Sequence, residues 1–137
     1  MATERTLVLV KPDGVRRKLI GEVIRRLEAK GLDVVAMRML QMDKEMASKH
    51  YEEHTSKPFF SDLVSFITGG PLLAMAVEGD EAVSVVRTVM GATDPKKAAL
   101  GTIRGDLAIE MTENIVHGSD SPDSAKRELS LFVPDLA

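Results

Sequence analysis

The chain has 137 residues, no cysteine and a formal net charge of −3, from 18 Lys and Arg and 21 Asp and Glu residues. This length predicts a single domain over 1–137, and the absence of thiols excludes disulfides, thiolate zinc sites and a cysteine nucleophile. A mildly acidic chain is a poor candidate for a general nucleic-acid binder. No apolar run approaches the roughly 20 residues that span a bilayer, and no secretory signal is visible, so we expect a cytoplasmic protein.

A leucine and valine run over 5–10 predicts the first strand. Pro12-Asp13-Gly14 then predicts a turn, because proline fixes one φ angle and glycine accepts a positive one. Apolar residues at helical spacing over 20–27 predict a helix. Gly31 is placed to end it, as glycine does just past a helix.

The next segments alternate between strand and helix patterns. Residues 32–42, rich in valine and methionine, predict a second strand. Asp43 is a suitable N-cap for a short helix that bears His50 and Tyr51. After a polar connection, helical spacing of apolar residues returns over 60–67.

A break and a third strand follow. Gly69-Gly70-Pro71 ends the preceding helix, and 72–77 predicts the strand. Asp80 is a candidate N-cap for the next helix, which Gly91 ends. Residues 92–113 show little periodicity, and a loop of that length in a compact domain is usually functional or disordered.

The last two elements complete a recognisable order. Residues 114–117 predict a short strand, and proline at 122 favours a helix that runs to about Leu131. Without the inserted helical pair and the last helix, the order is βαββαβ. This order predicts an α+β, ferredoxin-like fold: a four-stranded antiparallel sheet with helices packed on one face.

A histidine at the end of the last strand is the most informative candidate for chemistry. His117 closes a short apolar strand, and Gly118 permits a sharp turn after it. This position suits a nucleophile or base that must be held rigidly. A surface or capping histidine is the simpler reading, and Ser119, Asp120 and Ser121 could be helix-cap residues alone.

Three cations stand at the ends of predicted elements. Lys11, Arg87 and Arg104 could converge on a polyphosphate, although each alone is also typical of a surface charge. The sequence contains neither of two common glycine-rich phosphate-binding motifs, Gly-x-x-x-x-Gly-Lys-Ser/Thr and Gly-x-Gly-x-x-Gly.

Phe59 is out of phase with the apolar face of its helix, so it could stack on a base or pack at the helix start.

The three histidines at 50, 54 and 117 show no metal-ligand spacing in the sequence. We therefore expect no metal held by protein side chains alone.

Several segments resemble the nucleoside diphosphate kinase family, in the order in which that family carries them. The resemblance covers essentially the whole chain, and its last motif is highly specific. The segments are Leu9-Val10-Lys11-Pro12-Asp13-Gly14, Pro58-Phe59-Phe60, Gly70-Pro71, Gly101-Thr102-Ile103-Arg104-Gly105-Asp106 and Asn114-x-x-His117-Gly118-Ser119-Asp120.

The resemblance implies a reaction. A kinase of this family transfers the γ-phosphate of a nucleoside triphosphate, mainly ATP, to a nucleoside diphosphate. It does so by a ping-pong mechanism through a phosphohistidine, and it maintains the cellular NTP and dNTP pools. Mg²⁺ would arrive on the nucleotide phosphates. The implied assembly is a homo-oligomer, with a hexamer favoured over a tetramer.

The resemblance also implies roles for individual side chains. His117 would be the nucleophile through Nδ1, with Glu128 holding Nε2–H and Ser119 assisting. This agrees with chemistry, because a neutral imidazole must expose one lone pair and a carboxylate on its other nitrogen fixes that tautomer. Tyr51 would line the nucleophile's pocket, and Phe59 would stack on the base. The residues implied to bind nucleotide are Lys11, Phe59, Leu63, Arg87, Thr93, Arg104 and Asn114.

Two positions depart from the family's usual residues. Glu113 stands where many eukaryotic members carry an arginine, and Leu100 stands where many members carry a proline. Because the loop that contains Leu100 packs between subunits in the family, this second difference concerns the assembly rather than the chemistry.

Two other classes of function are compatible with this fold. Ferredoxin-like sheets also bind RNA, but the first three predicted strands hold no aromatic residue with which to stack bases. A catalytically inactive relative would be expected to lose His117 or the residues that support it, and all are present.

Overall fold

The structure is a computed structural model that describes residues 3–52 and 56–134. His54 lies outside the described residues. In chain order, the elements are β1 (Thr3–Val10), α1 (Pro12–Arg16), α2 (Ile20–Ala29), β2 (Asp33–Leu40), α3 (Lys44–His50), α4 (Phe60–Ile67), β3 (Leu72–Asp80), α5 (Ala82–Met90), a 3-10 turn (Pro95–Lys97), α6 (Ile103–Leu107), β4 (Val116–Gly118) and α7 (Pro122–Phe132).

The four strands form one antiparallel sheet in the order β2-β3-β1-β4. This topology confirms the predicted ferredoxin-like fold. The central strand β1 pairs with β3 along its whole length and places Leu9 opposite His117 on β4. The strand that carries the predicted nucleophile is thus paired directly with the buried half of a central strand.

Apolar side chains of β1 alternate between two cores, as the period of a strand requires. Val8 and Val10 pack on one face with side chains of α2 and α5, and Leu7 and Leu9 pack on the other face. The second face is covered by α3, α4 and α7. The two helices of the βαββαβ unit, α2 and α5, therefore pack on one face as predicted, and the inserted pair and the last helix cover the opposite face.

The Pro12-Asp13-Gly14 segment is the first turn of α1 and not a turn with a positive φ angle. Glycine is needed at 14 because of crowding. A Cβ atom there would lie 2.8 Å from Cγ1 of Val10 and 3.0 Å from Cγ2 of Ile115. Because Gly14 has no side chain, α1 can pack directly against the segment that leads into β4.

The prediction that Asp80 caps α5 is wrong, because β3 continues to Asp80. The residue before the helix, Glu81, has a left-handed φ of 50° and makes no side-chain cap. The carboxylate of Glu4 on β1 instead accepts a hydrogen bond from the backbone N–H of Val83 at 3.1 Å. A cap supplied from 79 residues away leaves no local sequence signal.

The long segment between α5 and β4 is ordered by two short helical turns. The hydroxyl of Thr102 caps α6 by accepting a hydrogen bond from the N–H of Gly105 at 3.0 Å. Gly91 ends α5 with a φ of 88°, as predicted. The final strand is one to two residues later than predicted because Ile115, with a φ of 74°, interrupts extended structure before Val116.

Among residues 3–52 and 56–134, no helix has both the length and the apolar character needed to cross a membrane.

Candidate active site

A cavity of about 540 Å³ opens beside β4. Its walls come from the end of β1, from α3, α4, α5, α6 and α7, and from the segment that leads into β4. All but one of the predicted site residues line this cavity: Lys11, Tyr51, Phe59, Leu63, Arg87, Thr93, Arg104, Asn114, His117 and Glu128. The exception, Ser119, is fully buried behind the cavity wall.

His117 lies at the centre of a short hydrogen-bonded chain. Its Nε2 atom is 2.8 Å from Oε1 of Glu128, and the Ser119 hydroxyl donates to the same oxygen at 2.7 Å. A carboxylate oxygen can only accept, so this contact places the ring proton on Nε2 and leaves the lone pair on Nδ1. The side chain of His117 is 28% exposed, which is enough for a reactant in the cavity to reach it.

The Glu128 side chain is only 6% exposed, and burial works against its charge. The hydrogen bond from His117, the positive charge that His117 can carry and the hydrogen bond from Ser119 together outweigh burial, so the pKa of Glu128 lies below its ordinary value. This carboxylate therefore stays ionised at neutral pH, as required of a group that orients an imidazole.

Lys11 is a buried cation at the N-cap of α1. Its ammonium donates to the backbone oxygen of Thr112 at 3.1 Å and lies 5.5 Å from the ring centroid of Phe66. Burial lowers the pKa of Lys11 to about 8, with Asp13 acting in the opposite direction and Arg104 in the same one. The charge on this lysine is thus only marginally maintained above neutral pH.

Arg104 and Arg87 bind the backbone on both sides of His117. Arg104 donates to the carbonyls of Asn114, Gly91 and Val116 at 3.3, 3.2 and 2.6 Å. Arg87 donates to the carbonyl of Gly118 at 3.2 Å. Burial, followed by the nearby Arg87 charge, lowers the pKa of Arg104 to about 10. Both guanidinium groups are fixed beside the nucleophile's strand before any ligand binds.

The remaining predicted residues line other parts of the cavity. Phe59 is 46% exposed at the start of α4, with Lys57 Nζ 5.6 Å from its ring centroid. The amide of Asn114 donates to the carbonyl of Thr93 at 3.1 Å. Burial and then the charge of Glu128 raise the pKa of Tyr51 to about 12, so its hydroxyl stays protonated.

Sequence reasoning did not select His50, which lies beside the predicted nucleophile. The two rings meet edge to face with centroids 4.8 Å apart, and His50 also contacts Tyr51 and Phe132 at 4.6 and 5.4 Å between centroids. It is 6% exposed, and its Nδ1 has no partner within the described residues. No sequence signal could have found this contact, because the two histidines belong to elements 67 positions apart.

His50, His117 and Glu128 are the one group of metal-ligating side chains among the described residues, and their nearest ligand atoms lie within 4.8 Å of one another. Two ligands of a tetrahedral zinc ion lie only roughly 3.4 Å apart, given bonds of about 2.1 Å. The group is therefore more open than a formed zinc site.

Burial of His50 makes the protein less stable at acidic pH. Burial, together with the charge that His117 can carry, lowers the pKa of His50 from 6.5 to about 3. As the pH falls, the histidine of the unfolded chain is protonated before that of the folded chain. The contribution of His50 to the free energy of unfolding is therefore complete above pH 6.5 and is lost between pH 6.5 and 3. One proton corresponds to about 1.4 kcal/mol per pH unit. We expect His50→Phe to remove this contribution from the slope of unfolding free energy against pH, measured by urea denaturation; equal slopes in the two proteins would contradict it.

Other cavity residues have no distinguishing pattern in the sequence: Asp62, Met111, Thr112, Val116, Ser124 and Arg127. Asp120, named above only as a possible helix-cap residue and as part of the last motif, also lines the cavity. Glu113, at a position where the family often has an arginine, pairs with Arg16 at 3.1 Å. Leu100 is 85% exposed.

Comparisons with known proteins agree with this arrangement. A protein named nucleoside diphosphate kinase from Thermobifida fusca is 64% identical over 134 residues, covering 98% of this chain and 99% of the relative. One of the same name from Metallosphaera sedula is 61% identical over 132 residues, covering 96% and 94%. A solved structure of a halophilic nucleoside diphosphate kinase from Halobacterium salinarum, in complex with CDP, superposes with a TM-score of 0.93 at 53% identity and covers 96% of this chain and 88% of that one.

The sequence profile described as nucleoside diphosphate kinase matches residues 4–137. Together with the shared fold and the high identity of its relatives, this match shows that the chain belongs to the nucleoside diphosphate kinase family, enzymes that transfer a phosphoryl group between nucleotides.

Proposed function

We propose that His117 is the phosphoryl carrier of a ping-pong reaction between a nucleoside triphosphate and a nucleoside diphosphate. The observation that carries this proposal is the contact between Nε2 of His117 and Glu128, because it leaves the Nδ1 lone pair available beside a cavity lined by cations. In the first half-reaction, Nδ1 attacks the γ-phosphorus and the bond from that phosphorus to the β,γ-bridging oxygen breaks. The diphosphate leaves, and a second diphosphate reverses the same step.

Three cations would stabilise the charge on the transferring group. In phosphoryl transfer, the negative charge spreads over three equatorial oxygens, and positioned cations are the main source of acceleration. Lys11, Arg87 and Arg104 have this role in the proposal. Hydrogen bonds to backbone carbonyls fix the positions of these side chains, so the N–H groups not used in those bonds need little reorganisation when phosphate arrives.

The remaining residues would bind the parts that all nucleotides share. Thr93 and Asn114 would contact ribose or phosphate, and Tyr51 would line the nucleophile's pocket. Phe59, with Leu63 beside it, would stack on the base. An aromatic face offers the same surface to every base and reads no hydrogen-bonding edge, so we expect broad acceptance of purine and pyrimidine nucleotides.

The experiment that tests this proposal is labelling with γ-labelled ATP in the absence of an acceptor. A phosphohistidine gives label on the protein that is stable to alkali and labile to acid. Addition of any nucleoside diphosphate should remove that label and yield the corresponding triphosphate. Failure of the wild-type protein to take up label would overturn the proposal.

We further propose that Mg²⁺ reaches the site only on the nucleotide, where it neutralises phosphate charge. Magnesium prefers oxygen ligands in an octahedral arrangement, whereas the one metal-ligating group among the described residues includes two imidazoles. The ion would therefore be held through phosphate oxygens.

Calorimetry tests this assignment of magnesium. Titration of Mg²⁺ into the nucleotide-free protein is expected to give no stoichiometric binding, and the same titration in the presence of ADP is expected to give a saturable signal. Tight binding at one ion per chain without nucleotide would contradict the proposal. A titration into ADP alone is the control for the ion's affinity for the nucleotide.

We also propose that the chain works as one domain over 1–137 in a cytoplasmic homo-oligomer, with a hexamer favoured over a tetramer. Support for self-association comes from the edge strand β2, where Val35, Met37 and Met39 are 41%, 52% and 49% exposed. An apolar edge strand of this kind is normally covered in a native assembly. Preference for the hexamer rests on the family resemblance alone.

A further inference from the structure

Asp13 is a buried carboxylate that does not line the cavity and has no part in the reaction as described so far. It is 2% exposed, and its Oδ2 accepts a hydrogen bond from the backbone N–H of Ile115 at 3.0 Å. Its Oδ1 is buried without a partner among the described residues. Because burying a charge in this way is costly, its presence requires an explanation.

The partner of Asp13 is the most unusual backbone position near the site. Ile115 is a fully buried, β-branched residue with a φ of 74°, a region that such residues avoid because of steric strain. The strained peptide is held on both sides. The N–H of Lys11 donates to the Ile115 carbonyl at 2.8 Å, and Asp13 accepts from the Ile115 N–H. Lys11, the N-cap of α1, and Asp13, in the first turn of that helix, thus hold this one residue.

The Ile115 turn sets the entry into β4. Asn114 precedes it and faces the cavity, and the three-residue strand that carries His117 follows it. The N–H of Val116 turns back to the carbonyl of Asn114 at 2.8 Å. A strand this short has few ladder hydrogen bonds of its own, so the position of His117 depends on how the turn is held.

Asp13 also acts on the nearest cations. Its charge supports the protonated form of Lys11 and of Arg104, in each case against the effect of burial. Two other groups interact electrostatically with Lys11, namely Arg104 on α6 and His50 on α3. Of these two and Asp13, Asp13 is the one that favours the charged form of the lysine.

We infer that Asp13 is a positioning residue for phosphoryl transfer, whose carboxylate holds the strained Ile115 turn in the shape that presents His117 and Asn114. This inference rests on the proposed role of His117. It adds a residue that does not line the cavity and acts through the backbone that leads to His117.

Three variants separate positioning from a general loss of stability. Asp13→Asn keeps an oxygen acceptor for the Ile115 N–H but removes the charge, and Asp13→Ala removes both. Leu32→Ala is the control, because Leu32 is a buried residue just before β2, at the opposite edge of the sheet from β4. It should lower the melting temperature without disturbing the turn.

The first readout is the rate of label transfer from γ-labelled ATP to the protein, followed by rapid quench at a temperature where all variants are folded. We expect Asp13→Ala to lower this rate by about 100-fold, which is the order of loss caused by a misplacement of about 1 Å. The final amount of label per chain should change little. Leu32→Ala should retain the wild-type rate. Equal rates in Asp13→Ala and Leu32→Ala would overturn the inference.

The second readout is the pH profile of kcat/KM, which reports groups of the free enzyme. Wild-type activity should decline as the pH rises through about 8, where Lys11 loses its proton. In Asp13→Asn the lysine lacks its supporting charge, so the decline should begin at lower pH. A profile that superposes on the wild-type one would show that Asp13 does not support the charge of Lys11. If Asp13→Ala does not fold, the labelling rate of Asp13→Asn is measured instead, because a neutral amide oxygen is a weaker acceptor for the Ile115 N–H than a carboxylate. A wild-type labelling rate in that variant would overturn the inference.

These results are distinguishable from failure of the proposed function. If His117 is not the carrier, no label is found on His117 of the wild-type protein. If only the role of Asp13 is wrong, wild-type labelling is normal and the Asp13 variants label at the rate of the Leu32→Ala control.

Discussion

Replacement of His117 by alanine is expected to abolish nucleotide turnover and to leave the fold intact. The side chain supplies the atom that accepts the phosphoryl group, and no other group in the proposal replaces it. Removal of a nucleophile lowers kcat by roughly 10⁶-fold in a well-studied hydrolase, and we expect a loss of at least about 10⁴-fold here. Because His117 is partly exposed and its ring is not among the core side chains, the melting temperature should change little.

Two measurements on His117→Ala separate chemistry from binding. Incorporation of label from γ-labelled ATP should fall to background, whereas ADP should still bind, since the cations and Phe59 are unchanged. Ser124→Ala is the matched control, because Ser124 also lines the cavity but has no role in the proposal. Label on His117→Ala at wild-type stoichiometry would show that a different residue carries the phosphate.

Much of the fold was predictable from the sequence because the signals were local. The apolar run of β1, the Asp43 cap of α3 and the Gly91 end of α5 each depend on neighbouring residues only. Asp43 accepts from the N–H of Met46 at 2.8 Å, as its position indicates. Elements of this kind are specified by periodicity and capping chemistry, which a single sequence contains.

The features that escaped prediction are those fixed by distant partners. The cap of α5 comes from Glu4, and the φ of 74° at Ile115 is held by Asp13 and Lys11. An isoleucine gives no local indication of a left-handed conformation, since tertiary contacts impose it. Sequence patterns report what a segment prefers, and these positions adopt what their surroundings require.

The same distinction applies to the candidate site. Motifs identified His117 and its cations through the family resemblance, and physical spacing alone left a surface histidine as the simpler reading. His50 was passed over because its ring contact with His117 joins α3 to β4 across the fold. Its position became visible only with the three-dimensional arrangement.

The carboxylate that holds His117 should be nearly as important as the nucleophile for the rate. In Glu128→Gln, the amide can still fill the space and accept one hydrogen bond. It carries no charge to stabilise the imidazole as that ring gains positive character during phosphoryl transfer. If the amide NH₂ turns toward Nε2, the ring must protonate at Nδ1 and loses the lone pair that attacks phosphorus.

We therefore expect Glu128→Gln to lower kcat by about 100-fold, within the range found for residues that orient a catalytic or metal-bound histidine. Because Glu128 contacts His117, Ser119 and Arg127, and none of these three holds a nucleotide phosphate in the proposal, the KM for nucleotides should change by no more than about twofold. Steady-state kinetics with saturating ATP and a varied diphosphate measure both quantities. Asp123→Asn is the control, because Asp123 is an exposed carboxylate in the first turn of the same helix. An unchanged kcat in Glu128→Gln would remove Glu128 from the mechanism, and an equal loss in Asp123→Asn would attribute the effect to the charge of the helix rather than to the contact with His117.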